Sequence, residues 1–214
     1  MSDILELNHV SKRFRNQVVL EDVNYTFQSG RIYGIIGENG CGKSVLLKLL
    51  CGLMIPSEGT VVHNGKVLKK DIDILPSLGV IIENPGFFDE MNALDNLKIF
   101  ASFQKKISTS TIIEAISKVG LENTRKKVEN YSLGMRQRLG LAQAIMENPD
   151  ILILDEFTTA LDKEGVEMAH QLLNELRQEG KMILITSHSS HDINELCDQV
   201  LVIRDRRLYV VEEQ

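Results

Sequence analysis

The stretch Gly37-Glu38-Asn39-Gly40-Cys41-Gly42-Lys43-Ser44 decides the fold. A glycine, four residues and then Gly-Lys-Ser is the spacing of a phosphate-binding P-loop. An apolar run ending in Ile35-Ile36 leads into it. An apolar-periodic stretch from Val45 to Cys51 leads out, and Gly52 is placed to stop that helix. At Gly37, Gly40 and Gly42 the backbone can approach phosphate oxygens in turns that a Cβ would block. The N–H groups along the loop, those of Asn39 and Cys41 included, then point inward. The helix beginning near Lys43 adds the positive end of its dipole. Lys43 puts a cation near the β- and γ-phosphates, and the Ser44 hydroxyl can bind Mg²⁺. The bland alternative is a glycine-rich strand–helix turn that binds nothing.

The chain has 214 residues. That is enough to bury about 70% of the unfolded surface, which suits one domain or one core with an inserted lobe. Composition is that of a globular protein, with 43% hydrophobic and 25% charged residues. A formal charge of −6 argues against a general nucleic-acid binder. A nucleotide is itself an anion, so it must be held by local fields such as that of Lys43. Cys41, Cys51 and Cys197 are odd in number and lack metal-ligand spacing, which fits a reducing cytosol. Cys41 lies inside the anion-binding loop, so a thiol reagent is expected to inhibit and nucleotide to protect. The start, Met1-Ser2-Asp3-Ile4-Leu5-Glu6, is acidic and lacks the apolar region of a signal peptide. The longest apolar stretch, Val45 to Ile55, is broken by Lys48 and Gly52 and is too short to span a bilayer. Any membrane role is therefore expected to need a separate partner rather than direct insertion.

Residues 3 to 27 read as several short strands, with Val23, Tyr25 and Phe27 in alternation. Asn64-Gly65 between apolar runs signals a hairpin. From Asn84 to Ile145 the pattern turns helical. Segments start near Asn92, near Thr111 (where Thr111 and Glu114 have capping-box spacing) and at Gly134. Ile151 to Leu154 and Met182 to Ile185 are short all-apolar strands, which suggests burial on both faces in a parallel sheet. A helix is expected from about Lys163 to Gln178, and a last pair of short strands in 200–211. The organisation expected is a single domain, 1–214. Residues 1–83 and 146–214 form the nucleotide-binding core with a β subdomain, and 84–145 a helical lobe.

Asp155-Glu156 ends the first of those apolar strands. There an acidic pair has a mechanical meaning. Asp155 would hold Mg²⁺ directly or through water, and Glu156 would polarise a water attacking the γ-phosphate. An exposed acidic turn is the alternative. Tyr131-Ser132-Leu133-Gly134-Met135-Arg136-Gln137-Arg138 then stands just before a helix. With it, about residues 4 to 210 resemble the ATP-binding subunit of ABC transporters, whose signature is usually Leu-Ser-Gly-Gly-Gln. The sequence is similar in particular to the subunits that export bacitracin-type and lantibiotic peptides for resistance or immunity.

The resemblance implies an α/β fold: a P-loop NTPase core, mostly parallel sheet with flanking helices, an antiparallel β subdomain and an inserted helical lobe carrying the signature. It implies an ATPase using ATP and Mg²⁺. Two copies close head to tail as a homodimer, with Ser132 and Gly134 of each donating to the nucleotide of the other. Phe14 matches the aromatic that stacks on adenine, with Tyr25 and Tyr33 as rivals. Glu83 sits where the family has a metal-binding Gln. Ala160-Leu161-Asp162 matches the D-loop at the dimer interface, and His188 the switch histidine at the γ-phosphate. The partner implied is a transmembrane permease subunit, which would place the chain in the cytoplasm, peripheral on the inner face of the membrane. Phe87, Phe88 and Met91 read as core of the lobe, or as part of a groove for that partner's cytoplasmic helix.

There are departures from the family pattern. Val45 stands for Thr on the α-phosphate side, Glu83 for Gln, Leu133 and Met135 for Gly and Gln, and Phe157 for Pro. Lys43, Ser132, Asp155, Glu156 and His188 are all present, so hydrolysis is expected. His188 and His191 lie three apart without an evident third ligand for zinc. The basic clusters Lys105-Lys106, Arg125-Lys126-Lys127 and Arg204-Arg206-Arg207 read as solvated surface. A regulator that signals by ATP-dependent dimerisation would share every motif, so it stays open beside transport. A P-loop kinase or GTPase would lack the signature and His188.

Overall fold

The computed structural model describes residues 3–83, 86–104, 107–122 and 125–211. Two sheets carry it. Strands β1 (Ile4–Phe14) and β2 (Gln17–Gln28) form one long antiparallel hairpin, not several short strands. The reason is bulging. The β1–β2 register shifts between Leu7 and Val10 and again before Lys12, and His9 and Asp22 take positive φ. A bulge breaks the two-residue period without ending the strand. Strands β4 (Glu58–His63) and β5 (Lys66–Val67) complete a four-stranded antiparallel sheet in the order β2-β1-β4-β5. Asn64-Gly65 makes the expected tight turn, both residues at positive φ.

The second sheet holds β3 (Arg31–Ile36), β6 (Leu78–Ile81), β7 (Ile151–Asp155), β8 (Met182–Thr186), β9 (Gln199–Arg204) and β10 (Arg207–Val210). Its order is β10-β9-β3-β8-β7-β6, parallel throughout except for β10. The all-apolar strands are buried on both faces, as their composition requires. Ile151, Ile153, Met182 and Leu184 enter one core with β1, β2 and the leucines of α1 (Lys43–Leu50). Leu152, Leu154, Ile183 and Ile185 enter the other. That second core includes residues of α2 (Ala93–Gln104), α3 (Thr109–Lys118), α4 (Leu133–Ile145), α5 (Lys163–Gln178) and α6 (Ser190–Leu196).

Helix α3 starts earlier than its sequence suggests. Ser108 is the cap, its hydroxyl accepting from the Thr111 N–H, so Thr111 lies inside the first turn. The short α6 was not expected, although Ser189 caps it by accepting from the Asp192 N–H. Phe87 packs inward, 6.2 Å from the Phe100 ring, but Phe88 and Met91 are exposed. Buried Asn96 accepts from the Phe88 N–H and donates to its carbonyl, which fixes the backbone there. Lys105-Lys106, and Asn84-Pro85 after Glu83, lie outside the described residues.

Candidate functional site

Four neighbouring parallel strands, β3, β8, β7 and β6, end on the same edge. The P-loop follows β3, His188 follows β8, Asp155-Glu156 close β7, and Glu83 follows β6. The carboxyl edge of an open parallel sheet is where such folds place ligands.

Gly42 caps α1 with φ 112°, in a conformation only glycine adopts freely. A Cβ there would also stand 3.0 Å from Val19 Cγ1 and 3.3 Å from Leu20 Cδ2. The β1–β2 hairpin therefore rests directly on the loop, and Phe14 lies at the hairpin's tip. Phe14 is 42% exposed with the Lys12 ammonium 5.0 Å over its ring, whereas Tyr33 is 1% exposed and accepts from the Gln28 N–H. Tyr25 packs edge-on against Phe27 and Tyr33. Phe14 is thus the exposed ring of the three.

Lys43 is buried and donates to the carbonyls of Gly37 (2.8 Å) and Glu38 (3.1 Å). Its ammonium is held across its own loop. Asn39 and Gly40 stand exposed, while Cys41 and Val45 are half-buried against the core beneath. The Ser44 hydroxyl donates to Asp155 Oδ2 at 2.7 Å, and Thr186 Oγ1 donates to Asp155 Oδ1 at 2.5 Å. Glu156 donates its N–H to the Thr186 hydroxyl, 2.9 Å, and takes φ 47°. Its carboxylate Oε1 lies 2.7 Å from His188 Nε2. Glu83, also at positive φ, pairs with Lys48 Nζ at 2.6 Å. Residues strained this way just beyond strand ends mark sites held in place by their surroundings.

Ser44, Glu83, Asp155 and Glu156 line one cavity of about 320 Å³, which Leu133 and Gln137 also border. A hydroxyl and a carboxylate already in hydrogen-bond contact, with two further carboxylates on the same cavity, form a set of hard oxygen donors. Among the described residues no cluster of three His, Cys, Asp or Glu could hold a metal. Mg²⁺ takes hard oxygen ligands through one or two carboxylates, with water and phosphate completing its shell, so the Ser44 hydroxyl and these carboxylates fit that ion.

Ser132 caps α4, its hydroxyl accepting from the Met135 N–H at 3.2 Å. A Cβ on Gly134 would come within 2.8 Å of the Ala160 carbonyl, so the signature packs tightly against the following loop. Arg138 donates to Asp162 Oδ1 at 2.8 Å, and Asp162 caps α5 through the Gly165 N–H. That N–H and the Arg138 guanidinium hold the Asp162 carboxyl below its ordinary range. Ser132 and Gly134 do not line the cavity of Ser44 and Asp155. They line a separate opening of about 670 Å³ with Tyr131 and Met135.

Some residues of the site were missed from sequence: Lys48, Thr186, and the hydroxyls of Thr158 and Ser187, which both donate to buried Asp192. Burial pushes the Asp192 carboxyl up. Hydrogen bonds from Ser187, Thr158 and His170 outweigh it and leave the group below its ordinary range. No helix among the described residues is long and apolar enough to cross a membrane.

Known proteins resemble this chain in sequence and in fold. Residues 20–159 match the family model described as ABC transporter. An ABC transporter ATP-binding protein of Bacillus subtilis, YybJ, is 44% identical over 98% of this chain and 97% of its own length. The bacitracin transport ATP-binding protein BcrA of Enterococcus faecalis is 38% identical, covering 100% of this chain and 70% of BcrA. The lantibiotic transport ATP-binding protein SrtF of Streptococcus pyogenes is 33% identical over 98% and 91%. Among solved structures, an ATP-binding subunit of an ABC transporter superposes with a TM-score of 0.86 at 25% identity, covering 97% of this chain and 90% of the other. The dimeric cassette MJ0796 gives 0.85 at 23% identity over 98% and 100%, which speaks to the fold.

Proposed function

The chain belongs to the ABC transporter family, and from that membership we propose that it is the motor subunit of a peptide exporter, closing as a head-to-tail pair on Mg-ATP. It is an ATPase. The observation that carries the mechanism is the Glu156–His188 contact of 2.7 Å, set in one row with Lys43, Ser44 and Asp155.

In this reading the loop amides from Gly37 to Ser44 surround the β- and γ-phosphates, those of Asn39, Gly40 and Cys41 included, and Val45 lies on the α-phosphate side. Lys43 exchanges its two carbonyl partners for phosphate oxygens. Ser44, Asp155 and Glu83 would hold Mg²⁺, whose chemistry is to neutralise phosphate charge. Glu156 accepts the proton of a water whose oxygen attacks the γ-phosphorus, while the bond to the β-phosphate oxygen breaks and ADP leaves with its electron pair. His188 orients that carboxylate and touches the γ-phosphate. Phe14 stacks on adenine. Ser132 and Gly134, on their separate opening, serve the nucleotide of the second copy. Residues 84–145 act as the lobe that carries them, and 1–83 with 146–214 as the core.

The relatives named for bacitracin and lantibiotic transport support an antimicrobial peptide as cargo. A permease subunit would hold the chain at the cytoplasmic face of the membrane. ATP titration of the wild type and of Lys43→Ala tests the nucleotide site. The variant should lose at least about tenfold in affinity with its loop cation, and equal binding would refute it. Purification from detergent-solubilised membranes tests the transport role. Co-elution of a polytopic membrane protein is expected, and an ATP-dependent dimer with no such partner would contradict it.

A further inference from the structure

Asp192 is 2% exposed and lies on α6, outside every motif discussed so far. Its Oδ2 accepts from Thr158 Oγ1 and from Ser187 Oγ, each at 2.6 Å. Its Oδ1 meets His170 Nε2, on α5, at 3.0 Å. Thr158 stands two residues after Glu156, and Ser187 immediately precedes His188. One buried oxygen therefore joins the two segments that carry the 2.7 Å Glu156–His188 contact. On the other side of that contact, Thr186 joins the same segments through Asp155 and the Glu156 N–H.

We propose that Asp192 is a positioning residue for ATP hydrolysis, a clamp that holds Glu156 and His188 at working distance through Thr158 and Ser187. The proposal rests on the roles assigned above to Glu156 and His188. A buried carboxylate loses its hydration, and an apolar side chain would fill this space without that cost. What only an acceptor supplies is a fixed distance between two hydroxyls on two different loops. Glu156 needs such fixing, because its positive φ persists only where the surroundings over-determine it. The hydroxyls need an acceptor, not a charge. Asparagine keeps one, and His170 can take the tautomer that accepts from the new amide.

The test uses Thr158→Val, Asp192→Ala, Thr158→Ser and Asp192→Asn, each assayed two ways. In nucleotide-free protein, the His188 ring resonances are followed by NMR. In steady state, kcat and KM for ATP are measured. Thr158→Val and Asp192→Ala should shift the His188 signals and lower kcat by about 10- to 100-fold, with KM within about twofold. Thr158→Ser and Asp192→Asn should stay near wild type in both. A purely structural role would lower thermal stability while leaving kcat per folded molecule and the His188 signals unchanged. Should Asp192→Ala fail to fold, Thr158→Val, which removes one hydroxyl at constant shape, decides alone. Unmoved His188 signals in Thr158→Val would overturn the clamp, and moved signals with an unchanged kcat would overturn its place in hydrolysis. A wild type without ATPase activity would instead count against the function proposed above, since the NMR arm does not depend on it.

Discussion

Glu156→Gln separates chemistry from binding most cleanly. The main chain at Glu156 is held by the Thr186 hydroxyl and carbonyl, 2.9 and 3.2 Å from its N–H, and glutamine leaves both bonds untouched. The side chain keeps its shape, and an amide oxygen can still accept from His188 Nε2. What disappears is the ability to take a proton. General-base catalysis contributes about 10²–10⁴-fold, or about 2.7–5.4 kcal/mol of barrier. Stability should barely change. Glu156 and His188 are partly exposed, and a polar side-chain contact that exposed contributes at most about 1 kcal/mol, or about 2–4 °C in Tm for a chain of this size. Phosphate release at saturating ATP gives kcat, a fluorescent nucleotide gives Kd, and size exclusion with ATP reports the trapped dimer. The expected outcome is kcat down by 10²–10⁴, affinity within about threefold of wild type, and a dimer that persists in ATP. Turnover at the wild-type rate would remove Glu156 from its role. Parallel loss of affinity would place it in ground-state binding.

Phe14→Ala should weaken ATP binding by about 5- to 150-fold, the range of about 1–3 kcal/mol for base–aromatic stacking. An unchanged Kd by the same fluorescence assay would dismiss Phe14 as the adenine platform. Alkylation by N-ethylmaleimide should inhibit hydrolysis and be slowed by ATP, with mass spectrometry placing the first adduct on Cys41. Burial pushes the Cys51 and Cys197 thiols up to about 12, so they hold little thiolate near neutrality. Full activity after modification of Cys41 would refute the argument. Asp192, whose folded carboxyl lies below the ordinary value of about 3.9, stabilises the fold fully above that value and loses the contribution as pH falls below it, through the lowered folded value. Asp192→Asn should therefore shallow the decline of Tm below about pH 5, and an unaltered acid limb would contradict the assignment.

What was legible in the sequence follows from how far each signal reaches. The P-loop is a backbone device fixed within eight residues, so spacing alone places Gly37 to Ser44. Strands β7 and β8 are buried on both faces, and an unbroken apolar run is the only way to satisfy that. The sequence of β1 and β2 reads as several short strands because bulges near His9 and Asp22 reset the alternation while the hydrogen bonding continues. The clamp at Asp192 left no local trace. Its two hydroxyl partners lie 34 and 5 residues away, on a loop and just past a strand end, and hydroxyl-to-carboxylate contacts impose no periodicity. In the sequence Lys48 is only an interruption of the apolar stretch from Val45 to Ile55. Its position one turn after Ser44 instead brings its ammonium to Glu83.

That pairing also accounts for how a chain of net charge −6 can receive a polyanion. Three carboxylates, Glu83, Asp155 and Glu156, face one cavity, a poor place for phosphate if all were bare. None is. Asp155 accepts from Ser44 and Thr186, Glu156 meets His188, and Glu83 meets Lys48. Lys43 differs in kind, because its hydrogen-bond partners are two neutral carbonyls, which leave its charge uncancelled within the loop. The field at the loop is then set by Lys43 and the α1 N-terminus rather than by total charge. Replacing an amide by the Glu83 carboxylate adds a negative charge at the cavity edge, and Lys48 supplies its counter-charge at 2.6 Å. Positive loop and acidic rim can therefore stand side by side.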